Sequence, residues 1–375
     1  MNTHTMDVLI VYTQSNSMSA SSKLKGNVTP FALSKGREHY APAYAYFLEQ
    51  CKQIGLKAAF TTSKDIVGPG TCSSYWTYDN SGWKKVVNTV FSPMVFDKVS
   101  PVSLALKNAR AVLFRDGISS PFNDPLMLNL FNDKLKTFTT LHAHTIPTVN
   151  INKGSIEKSL VRLEKLIASH ENYKDFSKSF VLKDRFGAGG IDIYKIGNDP
   201  IAEIKKILLA TPGISFILQP FTKFDKGYQY NGEAGYADIR IIYSQGEVVQ
   251  RYVRTAKQDD FRCNEHQGGK VSYIESQSIP DSVRIKSDAI IKLIKGEGAL
   301  FALDFIISNN GNVYFLEGNI NPGIYWGVNS VEDKINTKKL IVTIVGELKR
   351  RTEIANLGKI KLRLKEPLLP LLKFV

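Results

Sequence analysis

The segment from Phe301 to Gly323 constrains this chain more than any other. It reads Phe-Ala-Leu-Asp-Phe-Ile-Ile-Ser-Asn-Asn-Gly-Asn-Val-Tyr-Phe-Leu-Glu-Gly-Asn-Ile-Asn-Pro-Gly. Two apolar runs flank Asn310-Gly311, the favoured two-residue loop of a β-hairpin. With that loop, Asp304 sits directly opposite Glu317, with Cβ atoms about 4.5–5.5 Å apart. Asn319 lies two residues beyond Glu317 and so points to the same face. Surface acids on a solvated face are one reading, but Leu303, Phe305, Phe315 and Leu316 leave little polar surface there. Opposed carboxylates in apolar company repel unless one takes up a proton or a cation binds between them. A hard cation, Mg²⁺ or Mn²⁺, suits two carboxylates and an amide oxygen, with phosphate and water completing its shell. Asp304, Glu317 and Asn319 are therefore candidate metal ligands. Asp304→Ala and Glu317→Ala are each expected to abolish turnover and leave the fold intact.

The rest of the chain sets that hairpin in context. Its 375 residues exceed one small core and predict two or three lobes. Asp7 to Tyr12 reads as a buried first strand. Pro42 to Ile54 reads as a helix with Tyr44, Phe47, Leu48, Cys51 and Ile54 on one face, stopped by Gly55. Leu56 to Phe60 and Ala111 to Phe114 read as further strands of an α/β lobe over residues 1–121. Residues 64–100 are irregular and aromatic and carry no assignable pattern. From about Ser120 the grammar changes. Helical patterns recur at Ser155–Ser169, Asp199–Ala210, Ser282–Lys295 and Ser330–Arg351. Hairpins fall between them: Phe180–Lys183 with Gly190–Ile196, Tyr236–Tyr243 with Glu247–Thr255, and Leu300–Ser308 with Asn312–Asn319. This is an α+β domain over 122–350. A basic, Leu-rich tail, 351–375, follows.

Charge and cysteine usage narrow the partners. The formal net charge is +14, which attracts nucleotides, acidic substrates, nucleic acid or a membrane surface. Basic residues are dispersed and no nucleic-acid module is legible, so no nucleic-acid partner is expected. No run of about 18 apolar residues predicts a membrane span. Cys51, Cys72 and Cys263 form no pair with metal spacing, which suits reduced thiols in a cytoplasmic protein. No secretory pattern opens the chain. A homo-oligomer is compatible with this composition.

Several segments suit a bound anion. Lys183 ends an apolar strand and is followed by Gly187, Gly189 and Gly190. A lysine there can neutralise phosphate oxygens, and a small-residue turn lets backbone N–H groups approach them. The same turn could be a plain hairpin; it is neither a Walker A nor a GxGxxG motif. Phe216-Ile-Leu-Gln219-Pro220-Phe221 is either an edge strand stopped by proline or the frame of an adenine slot. Arg240, Arg251 and Arg254 lie within strands, where arginine contacts phosphate or carboxylate bidentately or sits as solvated cross-strand charge.

Taken together, these motifs resemble the ATP-grasp superfamily, and within it the RimK-type carboxylate–amine ligases, over about Asn123 to Gly323. The most specific segment is Asp238-Ile-Arg-Ile-Ile, then Arg254-Thr-Ala-Lys257, then Asp260-Phe-Arg-Cys-Asn-Glu-His-Gln-Gly-Gly269. Next come Asp304, Glu317-Gly-Asn319 and Pro322-Gly323. Asn132-Asp133-Lys134-Leu135 and His144-Thr-Ile-Pro147 are similar to the family's lead-in. The resemblance implies an ATP-grasp fold with two subdomains sandwiching ATP, a small one at about 150–222 and a core one at about 236–350. It further implies that residues 1–121 bind substrate. By the same resemblance Lys134 and Lys183 contact ATP phosphates, and Gln219, Pro220 and Phe221 are the adenine hinge. Asp238, Arg262, Cys263 and Asn264 complete the nucleotide site, and Arg254 and Arg262 stabilise the transferred phosphate. Pro220 stands where the family usually has an acid, and Asp192 where a small residue is usual.

The implied activity is ATP-dependent, Mg²⁺- or Mn²⁺-dependent joining of a small-molecule or peptide carboxylate to an amine through an acyl phosphate. Two alternatives share the motifs: an ATP-grasp kinase acting on a hydroxyl, and a non-catalytic ATP-binding module.

Overall fold

A computed structural model of the chain describes residues 3–34, 36–99, 101–232, 235–295, 300–327 and 330–363, with side chains described through 355. It forms two compact units: residues up to Phe122 together with those from Ile324 onward, and Asn123–Gly323.

In the first unit, β1 (Val8–Tyr12) is buried along its whole length. A strand apolar on both faces belongs inside a sheet. The chain continues through α1 (Tyr40–Gln53), β2 (Ala58–Thr62), the hairpin β3 (Tyr75–Asp79) and β4 (Gly82–Val86), β5 (Met94–Lys98), α2 (Leu104–Leu113) and β6 (Ser120–Pro121). The sheet order is β6-β5-β1-β2-β3-β4, with β1 parallel to both β2 and β5. Tyr44, Phe47, Leu48 and Cys51 of α1 are buried as the helical period requires, while Ile54, just past its end, is 39% exposed. The strand expected at Ala111–Phe114 is instead the end of α2. Ser103 caps that helix by accepting from Leu106 N, and Leu106, Ala109, Arg110 and Leu113 share its less exposed face. The four-residue apolar run hid this longer period. The aromatic stretch 64–100 resolves into short strands, too short for period-2 alternation to show.

The helix Val331–Arg363 groups with this unit, whereas the sequence reading ends the second domain at 350. Its buried stripe, Leu340, Ile341, Ile344, Val345 and Leu348, marks an apolar face but not which partner covers it; α1 does. Of the expected tail 351–375, the first part continues this helix, and 364–375 lie outside the described residues. No helix among the described residues is long and apolar enough to cross a membrane.

The second unit begins with α3 (Pro125–Phe131) and α4 (Lys134–Leu141), then β7 (Val149–Ile151), α5 (Ile156–Ala168), β8 (Phe176–Asp184) and β9 (Ile193–Ile196). It continues with α6 (Pro200–Ala210), β10 (Phe216–Thr222), β11 (Ala237–Ser244), β12 (Glu247–Thr255), β13 (Lys270–Tyr273), α7 (Asp281–Ile294), β14 (Leu300–Ile307) and β15 (Val313–Asn319). Asp199 caps α6 through Ala202 N, with Pro200 at the first helical position. Two antiparallel sheets result, ordered β7-β10-β8-β9 and β13-β12-β11-β14-β15. One face of the larger sheet buries Ile239, Ile241, Leu303 and Phe305 with Phe131, Val283 and Ile290 of the helices. Alternation therefore turns Asp238, Arg240 and Asp304 to the opposite face.

Candidate active site

The β14–β15 hairpin pairs Asp304 with Glu317 and Ala302 with Asn319, as the sequence predicts. It reaches that register by another route. The loop holds three residues, Asn309 to Gly311, closed by Gly311 N to Ser308 O at 2.9 Å and Ser308 N to Asn312 O at 2.8 Å. Gly311 has φ +86°, which glycine supplies without strain. Phe305 then pairs with Phe315, and a bulge at Leu316 restores the expected register at Asp304.

The carboxylate of Asp304 is fully buried, and its charge is answered by arginine. Arg240, opposite it on β11, donates from Nε to Oδ1 at 2.6 Å and from Nη2 to Oδ2 at 2.5 Å. Arg254 on β12 holds Asp238 bidentately at 2.8 and 2.7 Å and reaches Asp304 Oδ2 from Nη2 at 2.7 Å. Burial pushes the Asp304 carboxyl up, but the two guanidinia outweigh it and hold it below the usual carboxylate range. This corrects the reasoning from the sequence: the opposed acids do not require a shared cation to coexist, because two strand arginines supply countercharge to Asp304. Arg240 is the residue that argument left without a role. Its signal was present in Asp238-Ile-Arg240, whose alternation sets the arginine on the face of the acids.

Glu317 is in a different position. Its side chain is 27% exposed, and its nearest cation, Arg240 Nη2, is 3.9 Å away. It lines a cleft bounded by both sheets. Lys134, Lys183, Gly187, Gly190, Gln219, Pro220, Phe221, Asp238, Arg254, Arg262, Cys263 and Asn264 also line it. The fold thus gathers segments spread over Lys134–Glu317. Gly189, Asp304 and Asn319 are not among the lining residues.

Local chemistry places each wall. Asp133 caps α4 through Leu135 N and Lys136 N, and Arg185 binds the same carboxylate bidentately at 2.7 and 2.5 Å. That tie brings the start of the helix, and Lys134, to the end of β8. Lys134 Nζ donates to Gly187 O. Lys183 is half-buried; desolvation lowers its pKa to about 8, with Lys134 adding to the effect and Glu317 opposing it. Two lysines converging where water is scarce make a site for an anion. The glycine turn rests on the following loop: Arg262 Nη1 donates to Gly190 O at 3.3 Å and Gln267 Nε2 to Gly189 O at 3.2 Å. A Cβ on Gly190 would stand 2.7 Å from Asn264 Oδ1, at φ +75°, so no side chain is admitted there. Arg262 is otherwise paired with Asp260 at 2.9 Å, and burial raises the Cys263 thiol well above its ordinary range.

On the other wall, β7 covers β10 only as far as Leu218, and the chain from Gln219 on is open to the cleft. Thr148 Oγ1 donates its one proton to Ile146 O at 2.8 Å. It can therefore only accept from Gln219 Nε2, also at 2.8 Å. The amide is thereby fixed, and its Oε1 is buried without a donor among the described residues. Thr145 Oγ1 and Thr222 Oγ1, also in the cleft lining, are buried and unpartnered in the same way. Such orphaned polar atoms mark the place of a polar ligand. Phe221 adds an apolar face, with Phe261 at 5.5 Å and Lys195 Nζ 4.0 Å from its ring centre. Lysines at one end, unsatisfied acceptors and an aromatic ring at the other, fit a nucleoside triphosphate. For a divalent cation the donor chemistry also fits: the Glu317 carboxylate, one spare lone pair on Asp304 Oδ1, and Asn319 Oδ1, which already accepts from Asn321 N at 2.8 Å.

Two antiparallel sheets enclosing a cleft with this lining define an ATP-grasp protein. The family model for the RimK-like ATP-grasp domain matches residues 131–345, more than half of the chain. The chain belongs to that RimK-like ATP-grasp family. It is 30% identical over 172 residues to a probable alpha-L-glutamate ligase 2 of Pseudoalteromonas atlantica, covering 42% of this chain and 54% of that protein. A probable alpha-L-glutamate ligase of Halorhodospira halophila is 27% identical over 143 residues, covering 34% and 45%. The chain thus spans about half the length of the curated relatives it matches. Among solved structures, the D-cycloserine synthetase DcsG aligns with a TM-score of 0.55 at 14% identity, covering 91% of this chain and 99% of that one. The VanG D-Ala:D-Ser ligase of Enterococcus faecalis aligns with 0.56 at 9% identity, covering 92% and 100%. These establish a shared fold across most of the chain.

Proposed function

We propose that the protein is an ATP-dependent ligase that joins a carboxylate to an amine through an acyl phosphate. The observation that carries this reading is one cleft lined by Lys134, Lys183 and Glu317 together with the unsatisfied polar atoms of Gln219, Thr145 and Thr222. Gln219, Pro220 and Phe221 hold adenine; Lys134, Lys183 and the Gly187–Gly190 turn hold phosphates. Glu317, backed by Asp304 and Asn319, holds Mg²⁺ or Mn²⁺, which when bound screens phosphate charge and polarises the group transferred. In this reading Arg254 positions Asp304 and Asp238, and Arg262 keeps the glycine turn over the phosphates. Substrate selection falls to the first unit.

A substrate carboxylate is ionised at pH 7, so the first step needs no base. Its oxygen attacks the γ-phosphorus and ADP leaves. The amine then attacks the acyl carbon, the C–O bond breaks, and phosphate departs with the original carboxylate oxygen as the amine loses a proton. Relatives named as glutamate ligases make L-glutamate the first substrate to offer. Free phosphate is measured with ATP, Mg²⁺, L-glutamate and pools of amino acids and peptides. Release that depends on an added amine is expected. ADP accompanied by a phosphorylated hydroxyl, or bound ATP that no pool consumes, contradicts the proposal.

Two further results are expected. Removing the fixed acceptor in Gln219→Met weakens ATP by about 2- to 13-fold, the ~0.5–1.5 kcal/mol of one neutral hydrogen bond. The preference for ATP over GTP narrows at the same time, read by equilibrium titration with both. Lys183 supplies a pH signature. Its lowered pKa of about 8 is raised again by a bound phosphate, so nucleotide binding above pH 8 takes up a proton, and below it does not. Calorimetry in two buffers of different ionisation enthalpy at about pH 9 therefore detects uptake approaching one proton. Lys183→Arg, charged throughout, abolishes that uptake.

A further inference from the structure

The hairpin β3–β4 carries the outer edge of the first unit's sheet: β4 pairs with β3 and is last in the order. Its outer backbone row has no strand partner among the described residues. Such an edge is a template for another chain. Beside it lies an open groove between residues 20–28 and one face of the hairpin. Trp76 stands opposite Lys85 and Tyr78 opposite Trp83, so these side chains share that face. The groove is held in shape by specific bonds. Lys85 Nζ donates to Ser22 O at 2.8 Å and Leu24 O at 2.6 Å, and lies 5.4 Å from the Trp76 ring centre. Trp76 Nε1 donates to Met18 O at 2.9 Å.

Its charge is one-sided. Lys23, Lys25 and Lys85 line it, and no carboxylate does. The hairpin's own acid, Asp79, is paired with Lys84 at 2.7 Å.

We propose that this groove binds an extended, acidic peptide segment lying along β4. Lysines on an edge strand repel basic strands, a second copy of this edge among them, and guard against self-association. Lys84 and Lys85, engaged by Asp79 and by the Ser22 and Leu24 carbonyls, are such guards, and Lys23 and Lys25 meet the carboxylates of an incoming strand. Alternate side chains of an extended strand are about 6–7 Å apart on one side. That spacing suits Lys23 and Lys25, themselves two residues apart. The intervening residues meet Leu24, 42% exposed, and Val87, 66% exposed. A single-stranded nucleic acid needs open aromatic faces for its bases. Trp76 is fully buried, and Trp83 rests edge-on against Phe60, Trp76 and Tyr78, so the rings wall the groove instead.

This inference does not depend on the ligase reading, and its test uses no turnover. The full chain is titrated with a labelled octapeptide of alternating glutamate and valine, followed by fluorescence anisotropy. Saturable binding is expected. Lys23→Glu with Lys25→Glu weakens it by about tenfold or more, equal to ~1.4 kcal/mol, with the thermal midpoint unmoved. Methylating alternate peptide nitrogens, which spares the charge but removes backbone donors, weakens it similarly. No binding, equal binding by the methylated peptide or by the charge-reversed protein, or tighter binding of an oligothymidylate overturns the proposal.

Discussion

Asp304→Ala is expected to cost the protein about 3–5 kcal/mol of stability, the usual penalty for removing one partner of a buried ion pair. Asp304 is wholly enclosed and takes three hydrogen bonds from Arg240 and Arg254. Without it Arg254 keeps Asp238, but Arg240 is left buried with Glu317 3.9 Å away as its nearest acid. Urea unfolding of wild type and variant reads the difference as a shift in midpoint at constant slope. A double variant with Arg240→Leu and Asp304→Leu recovers much of the loss, because removing both charges removes the unpaired one. A loss below about 1 kcal/mol in Asp304→Ala contradicts this account of the network. The sequence alone predicts an inactive but intact variant; the arginines are why the fold is expected to suffer instead. The pH dependence has the matching sign. Asp304's folded pKa is depressed, so its contribution is complete above the ordinary carboxylate range and lost as pH falls through the folded value.

Glu317→Gln is expected to do the opposite: leave stability within about 0.5 kcal/mol and remove function. The side chain is partly exposed, and its one charge contact is long. Yet it is the carboxylate of the hairpin pair that opens into the cleft. Turnover is expected to fall on the order of 10²–10³-fold, the usual effect of losing one preorganised charge-stabilising group. A second readout is free of any assay for products. Mg²⁺ strengthens ATP binding to the wild type, and that gain disappears in Glu317→Gln. Calorimetric titrations with and without the ion, or the bound-Mn²⁺ signal by electron paramagnetic resonance, measure it directly. An undiminished Mg²⁺ effect in the variant defeats the assignment of Glu317.

These two residues also show how far the sequence carries. The opposition of Asp304 and Glu317 was legible because Asn-Gly and apolar alternation mark a hairpin. Yet the expected register holds only because a longer loop and the Leu316 bulge compensate. Caps were legible where the signal is local: Asp199 with Pro200 started α6 where expected. The strand expected at Ala111–Phe114 failed because four apolar residues fit either period, and the Ser103 cap lay outside that window. Residues 64–100 gave no pattern because their strands are two to five residues long. At the site, side-chain chemistry was legible and pairing was not. Arg254 and Arg262 were expected to face a phosphate; both are engaged with carboxylates, Asp238 and Asp304 for one and Asp260 for the other. The fixed acceptor on Gln219 depends on Thr148, 71 residues away, and no spacing in the sequence joins them.

The central claim is that the carboxylate of one substrate is phosphorylated before the amine attacks. Label transfer tests it most directly: a substrate carboxylate enriched in ¹⁸O is turned over with ATP, and the released phosphate is analysed by mass spectrometry. An acyl phosphate route delivers one labelled oxygen to each phosphate. Phosphate free of label, or label found in AMP, contradicts it.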